Sequence, residues 1–110
     1  MAKPLNIILL ERARSLIADK GYWCRGALAR DASGTRVHPT ASTARKWCAY
    51  GALLAAAHEL TNDLGQAHSL AAEAARALRG TTSIVTVNDV FGHAAVLQRF
   101  ERALAVAARR

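Results

Sequence analysis

The sequence predicts a mainly α-helical domain in which about four helices pack around a central helix at residues 41–60. Three observations support this fold class. Hydrophobic residues make up 52% of the chain, and many of them are alanine, the residue with the highest helix propensity. Apolar residues recur at helical spacing in several segments. The length of 110 residues suits one hydrophobic core, so a single domain at residues 1–110 is expected.

The first predicted helix begins at Pro4 or Asn6 and ends at Gly21, because a glycine often follows the last turn of a helix. Its polar face carries charged residues, among them Glu11 and Arg12. The opposite face is apolar and is therefore expected to enter the core. That face consists of Leu5, Leu9, Ala13, Leu16 and Ile17.

A small β-hairpin is predicted at about residues 27–38. The segment from Asp31 to Gly34 has the composition of a tight turn, since aspartate is favoured at the first position of a type I turn and glycine at the last. The short runs on either side of this turn would form the two strands. Pro39 ends the second run because proline has no backbone N–H to donate to a neighbouring strand.

The central helix is predicted from residue 41 to residue 60, with Thr40 or Ser42 as its N-cap. Apolar and small residues cover so much of its circumference that it should lie in the middle of the domain. Gly51 and the alanines would let neighbouring elements approach closely, and Trp47 would pack into the joints between them. This helix should therefore be the most buried element.

A third helix is predicted to follow Asp63, a candidate N-cap, and to end at Gly80. Its apolar positions recur at helical spacing along the whole segment. The stretch TTSIVTV that follows, at residues 81–87, is rich in β-branched residues. Since such residues favour extended backbone, a short strand is also predicted at residues 84–87.

The last predicted helix follows Asn88–Asp89, which would end the strand and cap the helix. It continues to the end of the chain, where Arg109 and Arg110 would lie at the negative end of the helix dipole. Its apolar face is predicted to consist of His93, Val96, Leu97, Phe100, Leu104 and Ala107.

The chain is strongly basic, with 15 Lys and Arg against 8 Asp and Glu and a formal net charge of +7. A charge of this size indicates an anionic partner, and nucleic acid is the first candidate. The predicted hairpin is the best candidate for a presented basic element, because cationic residues flank its turn. The candidate binding residues there and at the start of the central helix are Arg25, Arg30, Arg36, Arg45 and Lys46, with His38 nearby.

No run of about 18 apolar residues occurs in the sequence, so no transmembrane helix and no membrane partner are predicted. The cytoplasm is therefore the expected compartment. The two cysteines, Cys24 and Cys48, are too few for a disulfide framework, which agrees with a reducing environment.

Cys24, His93 and Asp89 or Asn88 form the candidate catalytic set. A cysteine nucleophile needs an imidazole to take its proton and a carboxylate or amide to orient that imidazole. The alternative interpretation is that Cys24 and Cys48 are small buried residues and that His93 packs on an apolar helix face. The sequence has no phosphate-binding glycine loop and no closely spaced pair of metal-binding cysteines or histidines, so no cofactor and no metal site are predicted.

The sequence contains a doubled Trp-Cys pattern together with several shorter motifs. These are Trp23-Cys24-x-Gly26-Ala27-Leu28-Ala29-x-Asp31, Pro39-Thr40, Trp47-Cys48-x-x-Gly51-Ala52-Leu53, Asn88-Asp89 and His93-x-x-Val96-Leu97. With these motifs the chain resembles a family of small, uncharacterised bacterial and phage proteins that is classed as a domain of unknown function. The resemblance extends from the first helix to Ala103, and it implies a shared fold without an established activity.

The sequence favours a small cytoplasmic interaction or regulatory module that is not an enzyme. Its partner would be an unidentified protein or a second copy of the chain, bound through thin alanine-rich faces. Two alternatives remain open. The first is a nucleic-acid-binding protein that uses its basic surface. The second is a hydrolase or transferase with Cys24 as nucleophile, His93 as base and Asp89 as the group that orients the base.

Overall fold

The computed structural model describes residues 3–109, and this part of the chain is mainly α-helical with one antiparallel pair of strands. The predicted fold class is confirmed, although the described residues form five α-helices where about four were predicted. None of these helices is both long enough and apolar enough to cross a membrane. The elements are α1 (Leu5–Ile17), a 3₁₀ turn (Lys20–Tyr22), β1 (Ala29–Arg30), β2 (Lys46–Trp47), α2 (Ala49–Thr61), α3 (Leu64–Leu78), α4 (Ile84–Thr86), a π-helical turn (Val87–Phe91) and α5 (His93–Ala108).

Helix α2 is the central element, as predicted, and it packs against both α1 and α3. Its buried residues are Ala49, Gly51, Ala52, Leu53, Leu54, Ala56 and Ala57. Because most of them are small, the neighbouring helices supply the larger core side chains. These include Leu9, Leu10, Ile17, Leu78, Val96 and Phe100.

Helix α2 does not start at residue 41, and that prediction is wrong. The preceding residues Lys46–Trp47 are extended, because they pair with β1 in the antiparallel ladder. The Trp47 indole Nε1–H donates to the carbonyl of Pro39 at 2.9 Å. This hydrogen bond holds the segment between Pro39 and Trp47 in turns instead of a helix. Pairing with a distant strand has overridden the helical spacing that runs through Trp47.

The N-cap of α2 is Cys48 rather than Thr40 or Ser42. Its Sγ accepts a hydrogen bond from the backbone N–H of Gly51 at 3.2 Å. Gly51 has a second role, because a Cβ at this position would overlap the carbonyl oxygen of Leu28. The backbone that leads into β1 therefore lies directly on the first turn of α2.

Helices α1 and α3 largely follow their sequence patterns. Helix α1 ends at Ile17 rather than at Gly21, because the Asp19 carboxylate accepts from the Gly21 N–H at 2.7 Å and starts the 3₁₀ turn. Helix α3 follows its predicted cap, Asp63, whose side chain accepts from the N–H of Gln66 at 2.9 Å. Its buried face consists of Ala67, Ala71, Ala74 and Leu78.

The predicted hairpin at about residues 27–38 is present, but its first arm also pairs with β2, which lies further along the chain. The Asp31–Gly34 turn forms as predicted, since the Asp31 carboxylate accepts from the backbone N–H of Ser33 at 2.9 Å. The returning run makes one isolated bridge with β1. The ladder partner of β1 is β2, which was predicted to be part of the central helix.

The prediction of a strand at residues 84–87 is wrong, because α4 and the π-helical turn occupy this segment. Ser83 caps α4, and its Oγ accepts from the N–H of Thr86 at 3.3 Å. The consecutive residues Val87 and Asn88 are both buried. A π-helical turn widens the helix at this point, and burial of both side chains outweighs the β propensity of the sequence.

Helix α5 begins directly after Gly92, whose φ of 93° lies in the region that favours glycine. Asn88 and Asp89 therefore do not cap it, contrary to the prediction. Arg109 occupies the C-cap position at the end of this helix, and Arg110 lies outside the described residues. The buried residues of α5 are Val96, Phe100 and Ala103.

Candidate functional site

The two Trp-Cys pairs of the sequence lie side by side. Trp23 and Trp47 form an isolated parallel bridge, and the N–H of Cys24 donates to the Trp47 carbonyl at 3.1 Å. The N–H of Cys48 donates to the Leu28 carbonyl, also at 3.1 Å. The doubled motif thus corresponds to two extended segments that pair with each other beside the first turn of α2.

Asn88 joins these two segments to the π-helical turn, and only 1% of its surface is exposed. Its Oδ1 accepts from the Trp23 indole Nε1–H at 2.6 Å and from the Ala49 N–H at 2.9 Å. Its Nδ2 donates to the Cys24 carbonyl at 3.1 Å and to Asp89 Oδ1 at 3.0 Å. Both amide protons and both lone pairs of the carbonyl oxygen are therefore in use, which leaves none of them for a substrate.

Asp89 and Arg25 hold the loop between the first Trp-Cys pair and β1. Asp89 Oδ1 accepts from the backbone N–H of Gly26 at 3.1 Å, in addition to its contact with Asn88. The Arg25 guanidinium lies over the Trp23 ring, 5.1 Å from its centroid. Cation–π attraction of this kind stabilises the loop conformation.

His93, the first residue of α5, closes the same cluster from the other side. Its Nε2 lies 2.6 Å from the carbonyl oxygen of Ile17, and since a carbonyl can only accept, Nε2 must carry the proton. Its ring packs on Trp23 with centroids 5.5 Å apart and planes tilted by 52°. His93 therefore fastens the end of α1 to the start of α5.

Both cysteines are buried thiols. Cys24 is 7% exposed and Cys48 is 5% exposed. Burial raises the pKa of the Cys24 thiol, and burial raises the pKa of Cys48 to about 11. The reactive form of cysteine is the thiolate, so at neutral pH neither side chain is activated as a nucleophile.

The structure brings Cys24 together with Asn88, Asp89 and His93 around Trp23, although Cys24 lies far from the other three in the sequence. A Cys24 nucleophile would need a hydrogen bond between its thiol and His93. Instead, the Cys24 Sγ donates to the Ala27 carbonyl at 3.6 Å, and His93 donates to a different carbonyl. This geometry supports the packing interpretation of the four residues and gives no support to the catalytic one. Within residues 3–109, no group of three or more His, Cys, Asp and Glu is placed to hold a metal ion.

Three of the five predicted binding residues line up across the β element. Arg36 is the bridge partner of Arg30, and Arg30 is the ladder partner of Lys46. Directly opposite residues of antiparallel strands project from the same face, so these three side chains form a row, here called the basic row. On the opposite face Ala29 is fully buried and its ladder partner Trp47 is half-buried, so the basic row faces solvent.

The other two predicted binding residues flank the basic row. Arg45 precedes Lys46 directly, and its guanidinium donates to the carbonyls of Ser42 and Ala44, each at 2.9 Å. Arg25 lies at the other side, where its carbonyl accepts from the Arg30 guanidinium at 3.3 Å. The ion pairs of residues 3–109 are all made elsewhere, by Lys3–Glu11, Arg12–Glu59 and Arg14–Glu101.

Next to the basic row is a cavity of about 410 Å³, here called the hairpin cavity. Its walls come from the two arms of the hairpin, and it also touches Cys48 and Asp89. Sequence analysis noted Arg36, His38 and Asp89 separately, but nothing in their spacing indicated that they line one cavity. The lining residues are Ala27, Leu28, Ala29, Arg36, Val37, His38, Pro39, Cys48 and Asp89.

An exposed apolar surface on α4 and the π-helical turn was also missed by the sequence analysis, which placed a strand there. Val85 is 47% exposed, and Val90 and Phe91 are each 65% exposed. These three exposed residues are here called the outer face. The sequence pattern gave no signal for it, because the exposed Val85, Val90 and Phe91 are as apolar as the buried Val87, while the polar Asn88 is buried.

Residues 1–106 match a family that is described as a family of unknown function, DUF6197. The resemblance to an uncharacterised family seen in the sequence is thereby confirmed. A search of the curated proteins and a search of the solved structures each found no match.

Proposed function

We propose that this chain, which belongs to the DUF6197 family of unknown function, is a non-enzymatic module that binds nucleic acid through its basic row. The observation that carries the proposal is the register that places Arg36 and Lys46 on either side of Arg30, Arg36 through an isolated bridge and Lys46 through the β1–β2 ladder. Like charges placed directly opposite each other destabilise a β ladder. An anionic partner would remove that repulsion, and it would gain contacts to three cations at once.

The dimensions of the basic row suit a phosphate backbone. Adjacent extended segments in a ladder lie about 4.8 Å apart, so the row spans about 10 Å from Arg36 to Lys46. Every nucleotide carries one phosphate, so a nucleic acid strand that runs along the row can bring more than one phosphate within that span. The net charge of +7 adds a long-range attraction for the same partner.

The three side chains of the basic row differ in how firmly the protein holds them in place. The Arg30 guanidinium is fixed by hydrogen bonds to the carbonyls of Gly34 at 3.0 Å and Arg25 at 3.3 Å. Within residues 3–109, the side chains of Arg36 and Lys46 make no hydrogen bond and no ion pair, and both are exposed. One cation is therefore held in place, while the two outer cations are available to adjust to phosphates.

The proposal is tested by fluorescence anisotropy with labelled oligonucleotides at low salt. The double variant Arg36→Gln/Lys46→Gln should weaken binding at least about tenfold, because it removes the two cations that no internal contact occupies. Arg30 is left unchanged, since its guanidinium also holds the turn.

A matched control removes the same charge from another part of the surface. Arg76→Gln/Arg102→Gln changes two exposed arginines on α3 and α5 and should reduce affinity only slightly. Equal losses in the two double variants would show that net charge alone attracts the oligonucleotide. Absence of binding by the wild-type protein at low salt would end the proposal.

A second candidate function, self-association, is favoured by the outer face of Val85, Val90 and Phe91. Asp89 and Arg25 lie at the edge of this face, and the Arg25 guanidinium comes within 3.3 Å of a Cβ placed on the adjoining Gly92. In a two-fold pair the same face meets itself, so Arg25 of one copy could pair with Asp89 of the other.

Light scattering during size-exclusion chromatography tests this second candidate. A dimer that becomes a monomer in Phe91→Glu, with unchanged thermal stability, would support self-association. A wild-type protein that is monomeric at all accessible concentrations would exclude it. Leu64→Glu is the matched control, because it changes an exposed apolar residue at the start of α3.

A further inference from the structure

The hairpin cavity adjoins the basic row and shares Arg36 with it. Its volume of about 410 Å³ lies in the range of small-molecule pockets, roughly 300–1,000 Å³. Leu28, Val37 and Pro39 give it apolar walls, and Leu28 is 43% exposed. A flat, partly apolar group that belongs to a ligand bound at the basic row would cover this surface.

Two of its side chains are suited to stacking. Unstacked bases of nucleic acids pack on histidine rings and on arginine guanidinium planes, and the cavity is lined by His38 and Arg36. The His38 ring is held in place by Thr40, whose backbone N–H donates to Nδ1 at 3.2 Å and whose Oγ1 lies 2.7 Å from the same atom. A ring fixed in this way loses little freedom when a base packs on it.

Asp89 gives the cavity a hydrogen-bond acceptor. Its Oδ1 is occupied by Gly26 and Asn88, whereas its second oxygen accepts no hydrogen bond from residues 3–109. A carboxylate oxygen can accept from the amino group of cytosine, which thymine lacks.

From these contacts we infer that the hairpin cavity takes one unstacked nucleobase, so that the nucleic acid bound by the basic row is single-stranded. The inference rests on the proposed function, because the phosphates at the basic row would deliver the base. In a duplex the bases are paired and stacked inside the helix and cannot enter a side cavity without unstacking, which costs free energy.

The test compares the binding of the protein to four labelled oligonucleotides: a mixed-sequence single strand, its RNA equivalent, a single strand with abasic sites, and the DNA duplex. The three single strands carry equal charge and the duplex carries twice as much, so weaker binding of the duplex cannot result from a lack of charge. Both intact single strands should bind about tenfold more tightly than the abasic strand and the duplex. His38→Ala should remove most of this difference, while His68→Ala, at an exposed position on α3, should leave it unchanged.

A second variant tests the acceptor without removing the stacking surface. Oligodeoxycytidine should bind more tightly than oligodeoxythymidine, and Asp89→Asn should abolish that preference while it keeps the acceptor for Gly26. Equal binding of the intact strand, the abasic strand and the duplex, with loss of all three in Arg36→Gln/Lys46→Gln, would overturn this inference and leave the basic row standing. No binding of any oligonucleotide would overturn the proposed function itself.

Discussion

Replacement of Asn88 by alanine should be among the most destabilising single changes in this chain. Asn88 is the buried amide that joins the first Trp-Cys segment, the start of α2 and the π-helical turn. Alanine would leave the Trp23 indole N–H and the Ala49 backbone N–H without their acceptor. Trp23 is 9% exposed and Ala49 is fully buried, so bulk water does not replace that acceptor readily.

The expected loss can be worked out from these contacts. A buried donor left without a partner costs about 1–3 kcal/mol, so two of them cost about 2–6 kcal/mol. Domains of this size have unfolding free energies of about 5–15 kcal/mol. Asn88→Ala should therefore remove a large part of the total stability, and it would unfold a marginally stable protein.

Urea unfolding followed by tryptophan fluorescence measures this loss, because Trp23 and Trp47 both lie next to the affected joint. The midpoint should fall by at least about 0.7 M, given slopes of about 1–3 kcal/mol per M for small proteins. Asn6→Ala is the matched control, since Asn6 is exposed on α1. If the two variants lose equally little stability, the role assigned to Asn88 is refuted.

Two further predictions concern the start of α2. Gly51→Ala should destabilise the fold by more than about 3 kcal/mol, because the new Cβ would overlap the Leu28 carbonyl. The control Gly65→Ala on α3 should change the stability by no more than about 1 kcal/mol. Equal thermal stability of the two variants would contradict this prediction. Burial raises the pKa of Cys48 to about 11, so the fold favours the neutral thiol. The contribution of the neutral Cys48 thiol to the unfolding free energy should be complete below the pKa of an unfolded thiol, about 8.5. Above that pH the contribution should decline toward pH 11, by up to about 1.4 kcal/mol per pH unit. Unfolding free energies of the wild type and Cys48→Ser at about pH 8 and about pH 10.5 test this, and a difference that does not change with pH would disprove it.

The helical parts of the fold were predictable because their signals are local. In α3, a capping aspartate and apolar residues at helical spacing predicted the start of the helix and most of its buried face. Leu64, at the first turn, is exposed although its spacing places it on that face. At residues 84–87, by contrast, the β-branched residues predicted a strand. The backbone is helical there because Asn88 is buried against Trp23, and this contact joins residues that are far apart in the sequence.

The basic row was predicted in composition but not in geometry. Arg30 and Arg36 were predicted as binding residues because they flank the predicted turn, and Lys46 as a cation at the start of the predicted central helix. Their alignment depends on the pairing of β1 with β2, and β2 lies within a segment whose apolar spacing is helical. Such register is set by packing with distant residues, so periodicity within one segment could not reveal it.

The salt dependence of single-strand binding tests the central claim most directly. Each phosphate that a cation neutralises contributes about −0.7 to the slope of log affinity against log salt concentration for single strands. The three cations of the basic row should therefore contribute about −2 to the slope of the wild type, and Arg36→Gln/Lys46→Gln should make the slope shallower by about 1.4. A slope that is the same in both proteins would contradict the claim that the basic row binds the phosphates.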